Sequence, residues 1–457
     1  MVSRSHRSRI AQNTVVCILL LLATVPTALA ASAFTPQRRV GYTTGDQWEP
    51  AIAADGHGHV YILYPQYGAV PNCASCTAPT IALLISDDNG ITWLPSQPLL
   101  PLATGEFDPQ IIVDPVDRQT VYASWLQSNK RDIVVARSSD FGRTWSLSVA
   151  DHAEEDADKP VLAVRGRDVY VGFNHEQSFF VAASHDYGEL FNSVEVNPNA
   201  GPGWSLAGGA TVDPNGAVYF GWTAYAKRDM SKRPVNIYVS RSADGGKTWN
   251  STLLDVSGAP PDCEAQACET GYLGAQVTVA SDAAGTVYAL WNAGRTNAGP
   301  ERIYFSSSTA DGAGWSAKAS VSSAVDGVES CFPAIVAGAA GDIRIAWMDM
   351  RMSDTRMSDL RFNDPRLNDL RTRYQPVWNT YYRSSTNGGA TWSGEVQLSG
   401  EASSAARDDD YVLPNGFLFP FGDYFTIAID NQGNTHAVWG EGRNYKSPGS
   451  IWYTHGR

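Results

Sequence analysis

The sequence predicts an all-β chain, a seven-bladed β-propeller of four-stranded blades whose ring is closed by an N-terminal strand. Three observations predict it: a recurring eight-residue turn motif, a recurring strand that ends in an aromatic residue, and turn signals that keep every strand short. The turn motif runs from Ser86 to Trp93, from Ser138 to Trp145, from Ser242 to Trp249 and, with Asn387 in place of Asp, from Ser385 to Trp392. Weaker copies lie at Ser184–Gly188 and Ser308–Trp315. In the pattern Ser-x-Asp-x-Gly-x-Thr-Trp, the Asp carboxylate accepts N–H bonds within its own turn and Gly takes a positive φ. The Trp buries its indole between units.

Taken in chain order, the first element is a leader. Arg4, Arg7 and Arg9 precede an apolar run from Val15 to Leu22 and the small residues Ala28-Leu29-Ala30, the pattern of a secretory signal peptide over 1–30. The apolar run is too short to span a bilayer comfortably, so the expectation is a secreted protein, extracellular or periplasmic, without membrane insertion. Residues 31–457 form the propeller. The innermost strands begin at Glu49-Pro50, Asp108-Pro109, Lys159-Pro160, Gly208-Gly209, Gly274-Ala275, Phe332-Pro333 and Asp423-Tyr424. Second strands follow, from Val60-Tyr61-Ile62-Leu63-Tyr64 in the first copy to Thr435-His436-Ala437-Val438-Trp439 in the last. The last copy stops after Ile451-Trp452-Tyr453-Thr454, one strand short, and Arg38–Tyr42 supplies a free strand that closes the ring and removes the open edge. A period-five charged tandem repeat, starting at Arg351 and ending at Arg371, fits neither strand nor helix and reads as a loop insertion in the sixth blade.

The chain carries 34 Lys+Arg and 47 Asp+Glu. Without the three arginines of the leader the balance is 31 against 47, or −16, which repels nucleic acid and anionic lipid and excludes both as partners. Five cysteines follow the leader: Cys73, Cys76, Cys263, Cys268 and Cys331. Export favours disulfides, either as two short staples that leave Cys331 free or with Cys331 joined to Cys263 or Cys268. A metal site is not expected, because Cys73 and Cys76 have no second pair at zinc spacing. No cofactor motif stands in a convincing context.

In a four-stranded blade the turn motif shares a face with the hairpin joining the first two strands, so chemistry is expected on the opposite face. Two sets of residues fall there. Glu49, Asp108, Asp158 and Asp423 lie at or beside the starts of innermost strands, with Tyr424 adjacent. Carboxylates converging on one funnel raise each other's pKa, which makes an acid/base pair useful near neutral pH, although carboxylates before Pro also serve as caps and such a cluster can hold a cation. Arg295, Arg351 and Arg443 each follow a strand-ending Trp by four residues, at Trp291, Trp347 and Trp439. Guanidinium groups suit a carboxylate through paired N–H donors. Lys130 and Arg228 occupy looser equivalents, and the His175-Glu176 pair is a weak further candidate.

With its repeated turn motif, the chain resembles the Asp-box (BNR-repeat) proteins of the sialidase superfamily over residues 36–457. The resemblance implies an exo-glycoside hydrolase acting on carboxylate-bearing glycans. It places Arg295, Arg351 and Arg443 as an arginine triad and Tyr424 as nucleophile, with Glu49 or Asp108 as its base and Asp158 as acid/base partner. Typical sialidases have six blades and a Phe/Tyr-Arg-Ile-Pro motif, whose nearest match here is Gln37-Arg38-Arg39-Val40 in the closing strand. A polysaccharide lyase on uronate polymers, with Tyr424 or His175 taking the α-proton, and a non-catalytic glycan- or protein-binding propeller are the alternatives.

Overall fold

The computed structural model describes Met1 and residues 34–100, 105–153, 157–175, 178–197, 203–225, 234–259, 274–308, 314–351, 378–400, 421–442 and 448–457. The leader, Glu176, Arg228, Cys263, Cys268, Arg443 and all but the first residue of the 351–371 repeat lie outside these residues. Among the described residues no helix is long and apolar enough to cross a membrane.

Seven antiparallel sheets form the seven blades of a β-propeller. Each blade runs outward in chain order, and the first gains a two-residue strand, Asp46–Gln47, paired to its second strand. The last blade takes its outer strand from the N-terminus, where Arg38–Val40 pairs with Ile451–Tyr453. Thr35 N–H donates to the His455 carbonyl at 2.9 Å, extending the seam. Arg38 reaches across it to the carbonyl of Ile91 at 2.7 Å, tying the closing strand to the first blade's turn.

The core is distributed between blades rather than central. Alternating apolar residues of the second and third strands pack against the neighbouring blade, with Trp125, Trp291, Trp347 and Trp439 fully buried at equivalent strand ends. Their indole N–H groups need acceptors once buried. Trp347 donates to Asp349 at 3.0 Å and Trp439 to Glu441 at 2.9 Å.

The turn motif is a closed hydrogen-bond unit. Ser138 Oγ accepts from Gly142 N–H and donates to Asp140, both at 2.8 Å, while Asp140 accepts from the Thr144 N–H at 2.8 Å and hydroxyl at 2.6 Å. The units at Ser86 and Ser242 repeat these bonds, and Asn387 does the work of Asp in the fourth. Glycine is required: Gly90 has φ +77°, and a Cβ there would lie 1.9 Å from the Tyr453 hydroxyl. The Trp indoles are half-buried, and Trp93 meets Tyr453 of the last blade edge-on at 5.0 Å. Ser138→Ala strips a buried N–H of its partner, and the expected loss is about 1–2 kcal/mol in urea unfolding. A loss below the error of the fit would show that the Oγ contributes nothing.

Buried carboxyls latch the seams between blades. Glu106, leading into the second blade, accepts the Ile81 N–H of the first at 2.8 Å, and Asp46 accepts the Gly449 N–H at 2.7 Å. Burial pushes Asp46, Glu106 and Glu441 each up to about 7. Such groups bind more protons folded than unfolded, so the stability they lend at low pH is lost as pH rises from about 4 to 7. Hydrogen bonds hold Asp140 and Asp244, and after burial is offset also Asp430, down at about 2, and their contribution is lost as pH falls from about 4. The thermal midpoint is therefore expected to be higher near pH 5 than at pH 8. A midpoint that rises steadily to pH 8 would contradict the seam account.

Cys73 and Cys76 form a disulfide, and Cys331 is a free, buried thiol.

Candidate functional site

Strand register defines what faces the axis. Ile52, Ile111, Leu162, Ala210, Val279, Ile335 and Ile427 pair at one level of the second strands, opposite Ile62, Ala123, Val171, Phe220, Ala289, Ile345 and Ala437. Three residues earlier in each blade stand Glu49, Asp108, Lys159, Ala207, Gln276, Phe332 and Tyr424. The strand entries in three blades thus differ from the sequence expectation: Ala207 replaces Gly208, Gln276 replaces Gly274, and Tyr424 replaces Asp423. Four entries carry a proline that marks the level, and these three do not.

At those four X-Pro entries the backbone is strained. Glu49, Asp108, Lys159 and Phe332 have φ of 52°, 53°, 50° and 54°, values that side chains with a Cβ rarely adopt. In the second, third and sixth blades the register shifts at this point, between Phe107 and Gln110, Asp158 and Val161, and Cys331 and Ala334. A bulge turns the strand locally and re-aims the side chain before the proline. Three of the four are charged.

Those charges meet. Lys159 Nζ lies 3.3 Å from Glu49 and 3.6 Å from Asp108, and it also bonds Asp423. Asp158 binds Lys130 at 3.0 Å. The structure therefore brings together three of the four carboxylates singled out from the sequence around a lysine that the sequence reasoning read only as a strand entry, and sets the fourth, Asp158, on Lys130 beside them. Gly422 makes the approach feasible, since a Cβ there would lie 2.5 Å from Glu49 Cγ. Lys159 is 9 % exposed, Glu49 3 % and Asp423 2 %, so this is a desolvated network rather than a surface patch.

Tyr424 completes it. Its ring lies under Lys159 Nζ, 4.9 Å from the centroid, and its hydroxyl donates to the Pro109 carbonyl at 3.1 Å. Burial, with Glu49 and Asp108 adding to it, pushes the phenol well above its usual value. Tyr67, stacked on Trp48 at 4.8 Å, feels the same acids. Close by, Asp108 Oδ2, both amide atoms of Asn174, which pairs in register with Asp158, and His175 Nε2 are buried with no hydrogen-bond partner among the described residues. Such unused capacity calls for an explanation in a native site.

The electrostatics separate the acids. Burial and the neighbouring Asp423 push Glu49 well above the usual carboxylate range despite Lys159. Asp108 is equally buried, yet Lys159 and Lys130 together hold it below that range. Burial also lifts Asp158, against the pull of Lys130. Lys159 resists desolvation because Asp108, Asp423, Glu49 and Asp158 all favour its charge, and it stays an ammonium.

Of the rim arginines, Arg295 and Arg351 have their partners outside this cluster. Arg351 donates through Nε to both oxygens of Asp349, at 2.9 and 3.0 Å, and through Nη1 to Glu395, with its guanidinium 3.8 Å over the Tyr381 ring. Arg295 is exposed and donates to the Tyr304 hydroxyl at 3.4 Å. Arg443 lies outside the described residues.

No family model matches the chain, and no curated protein matches it. Solved structures do. A Dyadobacter fermentans protein of unknown function superposes with a TM-score of 0.50 at 11 % identity, over 93 % of this chain and 99 % of that one. An ulvan lyase from a family of polysaccharide lyases gives 0.50 at 12 %, over 91 % and 95 %. What these proteins share with the chain is the propeller. Other structures of similar fold include a Hadza microbial sialidase, at 15 % identity and a TM-score of 0.43 over 90 % of this chain and 65 % of that one.

Proposed function

We propose that the chain is an Asp-box propeller of the sialidase superfamily that hydrolyses carboxylate-bearing glycans, with its chemistry at the axial cluster. One observation carries the reading: Glu49 and Asp108, two carboxylates bridged by one lysine, are driven apart in pKa, one upward and one downward. Two acids separated in this way are suited to opposite roles, a proton donor to the leaving oxygen and a permanent carboxylate facing the developing positive charge. Glu49 takes the first role and Asp108 the second. Tyr424 stands beside both, and Asp158 and Asp423 hold the two lysines in place. The partnerless atoms of Asn174 and His175 supply bonds to sugar hydroxyls. Arg295 and Arg443 meet the substrate carboxylate within this reading; Arg351 joins them only by leaving Asp349 and Glu395.

A second reading rests on Tyr424, whose phenol lies beside the Lys159 ammonium. A phenol held protonated beside a cation also suits proton donation to the leaving oxygen of a uronate, with His175 taking the α-proton, as a lyase requires. A screen of sialosides, uronosides and uronate polymers, followed by reducing ends and by ultraviolet absorbance of unsaturated products, separates the two. Released sugar without new absorbance supports the hydrolase, and new absorbance selects the lyase. Binding without turnover on every substrate would leave a non-catalytic propeller and sink both.

A further inference from the structure

The innermost strands enclose a central cavity of about 850 Å³, with Lys159 and Asp423 at one end and the first hairpins of the blades at the other. The hairpin end has its own repeat. Three residues beyond the level at which the strands pair stand Asp55, Asp114, Arg165, Asp213, Asp282, Gly338 and Asp430. The aspartates cap their hairpins: Asp55 accepts the His57 and His59 N–H groups at 2.7 and 2.9 Å, and Asp213, Asp282 and Asp430 do the same in their blades. The third blade departs from this. Its hairpin is one residue shorter, pairing Arg165 with Asp168 around Gly166, so no capping carboxylate is needed and a guanidinium occupies the position.

Arg165 lines the cavity, and so does Arg118 from the adjoining hairpin. The two hairpins are joined by the Gly166 N–H donating to Asp114 at 2.9 Å. Neither guanidinium has a side-chain hydrogen bond or ion pair among the described residues. The carboxylates on these two hairpins are already engaged: Asp114 by the N–H groups of Val116 and Gly166, Asp117 by Gln119 and Thr120, and Asp168 by His185. In a chain of net charge −13, two guanidiniums from bonded hairpins thus line one end of the cavity without a carboxylate to answer them among the described residues. Behind them the wall is partly apolar, with Ile112, Ile335 and Ile429 half-buried along it.

We propose that the hairpin-side mouth of the central cavity binds a small organic carboxylate, its oxygens held by the donors of Arg118 and Arg165 and its body lying along the cavity wall. Paired guanidinium donors match a carboxylate in geometry as well as charge. The site stands at the opposite end of the cavity from the acid/base cluster and is independent of the function proposed for that cluster.

Calorimetric titration of the purified protein with hexanoate, hexanol and sulfate tests it. Saturable binding of hexanoate is expected, with none of hexanol and weaker binding of sulfate. Arg165→Gln and Arg118→Gln should each weaken hexanoate roughly tenfold or more, the worth of a charge-assisted bond. Arg165→Gln should retain the wild-type circular dichroism and thermal midpoint, since its guanidinium makes no hydrogen bond or ion pair among the described residues. Absence of binding, unchanged affinity in both variants, or sulfate binding as tightly as hexanoate would overturn the assignment. So would affinity lost in Lys159→Met and kept in both arginine variants, which would put the carboxylate at the other end.

Discussion

Lys159→Met is expected to destabilise the protein by about 3–5 kcal/mol, measured by urea unfolding near pH 8, the usual cost of removing one partner from a buried ionic network. Methionine matches the length of the lysine stem, so the change removes the ammonium and little packing volume. What remains is Glu49, Asp108 and Asp423 around a site that has lost the cation they share, with Lys130 left to answer Asp108. Without Lys159 the folded pKa of Glu49 rises further and Asp108 loses part of what holds its own down, so the folded state of the variant holds protons that the unfolded state releases above about pH 4. The penalty should accordingly be small near pH 4 and grow as pH rises. Adding Glu49→Gln to Lys159→Met removes one of the buried carboxyls whose ionisation is no longer answered by Lys159 and should recover part of the loss at pH 8. Equal penalties at pH 4 and pH 8, or strict additivity of the two changes, would mean that the cluster is not an electrostatic unit.

The ring was legible because its determinants are local. The Ser, Asp, Gly and Thr of each turn close their bonds within eight residues, so spacing alone reveals them, and the missing outer strand of the last blade announces the N-terminal closure confirmed at Arg38–Val40. The axial acids were legible for a related reason: Glu49 and Asp108 precede prolines, which fix the strand entry in the sequence. Where proline is lacking, at Ala207, Gln276 and Tyr424, the level of the entry was misjudged by one or two residues. Lys159 carries the same proline signal as the acids and stood in view. Its importance depends on meeting residues of the first, second and last blades, and a repeat alignment records equivalence between blades without recording contact across the axis.

The rim arginines show the converse. Trp291, Trp347 and Trp439 set an even spacing to Arg295, Arg351 and Arg443, but spacing along a strand exit does not set direction. In the sixth blade the buried Trp347 indole requires an acceptor, Asp349 supplies it, and Asp349 then holds Arg351 outward toward Glu395. A side chain three bonds from its backbone follows the nearest carboxylate, and that carboxylate was present to satisfy a tryptophan.

Glu49→Gln is expected to lower kcat on a cleaved glycan by about 10²–10⁴-fold, the range for loss of a general acid, while leaving the fold intact. Glutamine keeps the shape and replaces a carboxyl that burial and Asp423 already push toward its neutral form, and Lys159 retains Asp423 and Asp108. The diagnostic readout is the pH profile. With its raised pKa, Glu49 is active as the protonated form, so wild-type kcat/KM should fall on the alkaline side as that proton is lost, and this limb should vanish in the variant. Asp108, held low, must be ionised, and Asp108→Asn should lose activity at all pH values with the alkaline limb of the residual rate retained. A purely structural cluster would behave differently: both variants would change the unfolding midpoint and leave the shape of any pH profile alone. An alkaline limb that persists in Glu49→Gln would take the proton-donor role away from Glu49, and with it the observation on which the hydrolase reading rests.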